Sequence, residues 1–175
     1  MIMPANKNVN PNPSQQDMKE LQYLYNLKEF SILESKAREL LVKYKKNVEL
    51  QNILGVALSV QWKSNYAIEI FENIIKIQPN FYFAYNNMGN ALKDLCRLDE
   101  AKIYYQKCVK INPKYIDAYI GLGKIFLDLN KLDKSAAVFQ QALKLKPENG
   151  ELHRRLSQVM KYEQTSSHVK DMEKI

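Results

Sequence analysis

Few residues in this sequence could make or break a covalent bond. The two histidines, His153 and His168, have no Ser, Cys or Asp at a spacing that would form a triad or dyad, and read as surface residues. Cys96 and Cys108 lack CxxC spacing and a histidine nearby, so they point to neither zinc nor a disulfide framework. Gly121-x-Gly123 is no nucleotide fingerprint, because Phe126 stands where the next glycine is required. The loops and helices written GxxxxGKS/T, HExxH and GxSxG do not occur. This inventory predicts a non-enzyme with no cofactor and no metal. What remains is non-covalent recognition, and there Asn86, Asn87 and Asn90 stand out. They suit neither a core nor a helix, yet each amide both donates and accepts, as recognition of an extended peptide backbone requires.

The elements that carry these amides are expected to be helices. Across 175 residues, 46% of them hydrophobic, there are five glycines and six prolines, and three of the prolines fall in the first thirteen residues. So few turn residues disfavour a many-stranded sheet and favour helices with short connections. The net charge of +7 is dispersed: residues 1–47 carry +3, 48–79 −1, 80–113 +2, 114–147 +3 and 148–175 zero. Without a concentrated basic stripe, nucleic acid is disfavoured as a partner. The amino terminus lacks the apolar run of a secretory signal, and no stretch approaches the roughly 20 apolar residues of a membrane span. With two unpaired cysteines, a cytoplasmic protein and no membrane partner are expected.

Self-similarity organises the chain. Pro79, Pro113 and Pro147 are each 34 residues apart, closing NIIKIQP, KCVKINP and QALKLKP, and Gly55, Gly89 and Gly123 keep the same interval. With each proline at the thirty-second position, repeats start at Val48, Tyr82 and Ile116. The fourth position then reads Gln51, Tyr85, Tyr119; the seventh Leu54, Met88, Leu122; the eleventh Leu58, Leu92, Phe126. In the second half the twentieth reads Ala67, Ala101, Ser135, the twenty-fourth Phe71, Tyr105, Phe139, and the twenty-seventh Ile74, Cys108, Ala142. Spacings of 3, 4 and 7 put each set on one helical face. A mid-helix glycine costs about 1 kcal/mol relative to alanine, so these are expected to face Ala67, Ala101 and Ser135 at a close approach of paired helices. Cys96, with Trp62 and Asn130 at the same register, is expected in the turn between them.

This register resembles the tetratricopeptide repeat family, whose pattern runs W-x2-L-G-x2-Y, then A-x3-F-x2-A, then P over 34 residues. The match is close at 82–115 and 116–149 and good at 48–81, with Tyr or Gln for the Trp and Leu or Phe for the eleventh-position Tyr. The resemblance implies an all-α fold, a right-handed superhelical solenoid of antiparallel helix pairs. Leu21, Leu24, Leu33, Ala37 and Leu40 keep the register without its glycine or proline, so 17–47 reads as a degenerate capping repeat. Leu152, Leu156, Val159 and Met160 make 150–162 a C-terminal capping helix. Residues 1–16 are expected to be disordered, and 163–175 a tail or the start of a truncated further segment, since Val169, Met172 and Ile175 keep helical spacing to the end.

In the family, the first helices line a concave groove that holds a protein or peptide segment through positions two, five, six, nine, twelve and thirteen. Carried onto this sequence, the resemblance makes Asn52, Phe83, Asn86, Asn87, Asn90, Lys93, Lys124, Arg154 and Arg155 the candidate groove residues. The carboxylate clamp of chaperone-binding members is incomplete here: Asn87 matches in one register, Asn90 and Arg155 in the next, and the other clamp positions do not. Of the asparagine ladder of O-linked sugar transferases, Asn87 alone survives. The implied function is a scaffold for protein–protein interaction. An alternative is suggested by HRRLSQVMKY followed by SSHVKDMEKI, which resembles the junction where such repeats precede a bacterial sulfotransferase domain; the chain would then be the N-terminal region of a larger transferase, a sulfotransferase or glycosyltransferase.

Overall fold

A computed structural model describes residues 12–172, with side chains described as far as Lys161. The described residues form nine α-helices and no strand, divided between two compact units, Met1–Pro79 and Asn80–Ile175. The first unit holds α1 (Gln15–Asn26), α2 (Phe30–Lys43), α3 (Val48–Val60) and α4 (Ser64–Ile77). The second holds α5 (Tyr82–Asp94), α6 (Leu98–Ile111), α7 (Ile116–Asp128), α8 (Leu132–Leu145) and α9 (Gly150–Met172). Within each unit helices adjacent in sequence pack together, and in the second α5 also meets α7.

The 34-residue register is also the register of the backbone. Val48, Tyr82 and Ile116 each open a helix, and each terminal proline lies two residues past a helix end, where its missing N–H breaks no bond. Between the helices of each pair a single residue takes the left-handed conformation: Lys28, Trp62, Cys96 and Asn130, all at φ between 53° and 63°. Each sits in a Schellman turn, in which the next residue's N–H reaches back five residues, as from Lys63 to the Leu58 carbonyl at 3.0 Å. In the first unit Lys63 also pairs with Glu34 at 2.9 Å, and Gln61 donates to the same carboxylate, tying this turn to the start of α2.

The core follows the same positions. At the marked positions of the three repeats that start at Val48, Tyr82 and Ile116, Gln51 alone is not buried; it accepts from Asn73 and donates to the Lys45 carbonyl instead. The glycines make close approaches, but toward a different neighbour than their spacing implied. A Cβ added at Gly55, Gly89 or Gly123 would run into the rings of Phe71, Tyr105 and Phe139, one turn beyond the small residues. The aromatic ring at position twenty-four fills the space that the missing side chain leaves. Ser135 does reach the first helix, donating its hydroxyl to the Gly123 carbonyl at 2.8 Å.

The ends differ from expectation in three places. Within residues 1–16, α1 already begins at Gln15, because Ser14 and Asp17 form a reciprocal capping box that satisfies the first free N–H groups; residues 1–11 lie outside the described residues. At the other end, α9 continues as one helix past 162 to Met172, while the side chains of His168 and Val169 and all of Ile175 lie outside the described residues. Leu152 and Val159 are buried as a capping face requires, but Met160, one residue further round the helix, is half exposed.

Candidate peptide-binding site

The second unit brings three of the candidate residues to one place. Lys93 from α5, Lys124 from α7 and Arg155 from α9 line a cleft of about 660 Å³, together with Leu98, Leu127 and Gln158. Periodicity puts them there: each stands on the first-helix face of its own repeat, one turn apart from repeat to repeat. Lys93 is held 3.7 Å from Asp94 and Arg155 3.2 Å from Glu151. Burial pushes the Lys124 ammonium below the usual lysine range, and the positive charge of Arg155 and then of Lys93 pushes further, against the opposing pull of Glu151 and Asp117. With three cations against the single carboxylate of Asp128, and with Leu98, Leu127 and Leu132 beside them, the cleft has the chemistry to hold an anionic group beside an apolar one.

The asparagines do not behave as a set. Asn90 is half-buried, and its Oδ1 accepts from the Tyr105 hydroxyl at 2.6 Å. Asn87 is half-buried and accepts from Asn86 Nδ2 at 3.3 Å. Asn86 itself is only 5% exposed, and its Oδ1 is buried without a hydrogen-bond partner, so it lies beneath the surface on which Asn87 and Asn90 stand. Phe83, 37% exposed, stacks at 4.2 Å on Tyr82 and meets Tyr115 edge-on at 5.5 Å. Burial raises the Tyr115 hydroxyl, and the adjacent Asp117 carboxylate raises it further. Arg154 is exposed on α9 and is not part of the cleft lining. Asn52 belongs to α3 in the first unit, where it is half-buried.

Among the described residues no three His, Cys, Asp or Glu side chains group as a metal site would require. The Cys108 thiol is buried, pushed up to about 12 by that burial, and donates to the Tyr82 carbonyl at 3.3 Å. Cys96 is exposed in its turn. His153 contacts the Pro147 carbonyl through Nε2 at 2.7 Å.

Comparison with known proteins assigns the repeats. Residues 82–115 and residues 116–149 each match a family model described as tetratricopeptide repeat. Residues 82–149 are thus similar to two consecutive tetratricopeptide repeats. Solved structures extend the likeness in fold beyond them. A thermophilic tetratricopeptide repeat protein of Thermus thermophilus, TTC0263, is 20% identical with a TM-score of 0.76, over 83% of this chain and 80% of its own. The MamA fragment 41-end from Desulfovibrio magneticus RS-1 is 19% identical with a TM-score of 0.72, over 95% and 94%. The Arabidopsis OM64 tetratricopeptide repeat domain is 25% identical with a TM-score of 0.62, over 66% and 95%. No curated protein matches the chain. These likenesses establish an all-α tetratricopeptide repeat fold and do not extend to the sulfotransferase-like reading of the C-terminal segment, whose side chains lie mostly outside the described residues.

Sequence reasoning missed Tyr105 as anything but core, and gave Gly121 no packing partner. A Cβ at Gly121 would overlap the same edge of the Tyr105 ring that one at Gly89 would meet. The signal was present: position twenty-four is Phe in the flanking repeats and Tyr here, with a glycine at position six of the following repeat.

Proposed function

We propose that the chain is a non-enzymatic scaffold whose second unit holds an extended, acidic peptide segment of a partner protein. The convergence of Lys93, Lys124 and Arg155 on one cleft carries this reading, because their mutual repulsion in a partly desolvated place is relieved by a bound carboxylate. Leu98 and Leu127 supply apolar contact, and the amides of Asn87 and Asn90 lie along the same α5 face toward Phe83. Tetratricopeptide repeats as a class serve protein interaction, and the two free thiols fit a reducing cytoplasm. No helix among the described residues is long and apolar enough to cross a membrane.

Fluorescence anisotropy with labelled hexaglutamate, hexalysine and an oligothymidylate of similar length tests this reading. Hexaglutamate is expected to bind tightest, and Lys124→Ala with Arg155→Ala to weaken it about tenfold or more, the loss of two charge-assisted contacts. Equal binding of hexaglutamate and hexalysine sinks the proposal. Tighter binding of the oligonucleotide would reassign the cleft to nucleic acid.

A further inference from the structure

We propose that Tyr105 is a positioning residue for the groove: it fixes the carboxamide of Asn90 so that the Asn90 N–H donors face a ligand oxygen. The inference rests on the peptide-groove reading above and adds to it the polarity of one contact.

The geometry is unusual for a residue of the second helix. Tyr105 lies on α6 and is 0% exposed. Its ring lies against two glycine backbones, Gly89 of α5 and Gly121 of α7, and a Cβ at Gly89 would stand 2.9 Å from it. The hydroxyl emerges beside α5, where it donates to Asn90 Oδ1 at 2.6 Å. A free carboxamide presents oxygen or nitrogen equally well after a half-turn. Once the oxygen is held from beneath, the two N–H groups are what remains for the groove, one helical turn from Lys93. A ligand atom there must be an acceptor, as a carboxylate or peptide carbonyl oxygen is. Burial raises the Tyr105 hydroxyl above its ordinary value, so it stays protonated and able to donate. The pairing is particular to this repeat: where position twenty-four is Phe71 or Phe139, position nine is Val56 or Lys124, and no amide needs orienting.

Tyr105→Phe restores the ring found in the flanking repeats and removes only the hydroxyl. It is expected to weaken hexaglutamate about fivefold, what one ordinary hydrogen bond contributes. Asn90→Asp keeps the acceptor for Tyr105 but replaces the donors with charge, and should weaken binding more. The decisive measurement is the double-mutant cycle: in an Asn90→Ala background Tyr105→Phe should have no further effect on affinity, whereas a merely structural role would lower it in both backgrounds. Unchanged affinity on Tyr105→Phe, with Lys124→Ala and Arg155→Ala still weakening the probe, overturns the positioning role and leaves the groove standing. Affinity that none of these variants moves, or no binding by the native protein, overturns the groove and this inference with it.

Discussion

Lys124 shows how binding and stability oppose each other in a single side chain. Its ammonium is partly desolvated and faces Arg155 and Lys93, with Glu151 and Asp117 compensating incompletely, so its proton is held less tightly than in the unfolded chain. The sign follows from linkage: a lysine whose folded value is lowered disfavours the native state while it is charged, and that cost fades as pH rises through the lowered value toward the ordinary one. At neutral pH the charge therefore works against folding and for an acidic ligand. Lys124→Met, which keeps the aliphatic stem, is expected to raise the Tm at pH 7, to lose most of that gain near the ordinary lysine value, and to weaken hexaglutamate. Paired thermal melts of the variant and the native protein check it, and a lower Tm at pH 7 would show that Lys124 is stabilising after all. Buried Asn86 is the contrasting case: its unpartnered oxygen carries the cost of a buried polar group, about 1–3 kcal/mol, without the exposure that would let it bind.

The two helices of each pair are joined by one device, repeated at Lys28, Trp62, Cys96 and Asn130, 34 residues apart and none of them glycine. A left-handed residue with a Cβ costs roughly 1–2 kcal/mol, offset in part because glycine loses about 0.5–1 kcal/mol more backbone freedom on folding. Trp62 is 86% exposed and gives up little contact on removal, so Trp62→Gly is expected to stabilise by up to about 1 kcal/mol, a Tm rise of about 2–4 °C for a chain of this size. Asn130→Gly should change little, since asparagine tolerates this conformation. A fall in Tm for Trp62→Gly would mean that the indole makes contacts its exposure does not show. The turns themselves were legible in the sequence, because the spacing of Pro79, Pro113 and Pro147 fixes where each pair must end and so where its turn must lie. Less legible was what each face meets. Periodicity assigns Gly89 to the inside of α5 but cannot tell that Tyr105 rather than Ala101 fills the space, and the resemblance to the family puts Gly121 on the groove side although its neighbour is the same ring. The family's groove positions likewise put Asn86, Asn87 and Asn90 on one polar surface, beneath which Asn86 is in fact buried. Direction within a face depends on the crossing of neighbouring helices, which no single-chain spacing encodes.

For the chain as a whole, the question is whether its net charge of +7 or a local group of charges decides what it binds. Screening makes the two separable. At about 0.1 M salt the Debye length is about 10 Å, so cations scattered over the surface add a weak, general attraction, while those lining one cleft act together on a ligand that touches them. The affinity for hexaglutamate should therefore fall with added salt chiefly through Lys93, Lys124 and Arg155. Lys124→Ala with Arg155→Ala is expected to remove about half or more of the slope of log affinity against log salt, these being two of the three cations in contact. Lys134→Ala with Lys144→Ala makes the same change in net charge on the exposed face of α8 and should leave the slope nearly intact. Anisotropy titrations across a salt series separate the outcomes. Equal loss of slope in both pairs would mean that net charge alone attracts the peptide, and the cleft would then hold no more than its share of a uniformly basic surface.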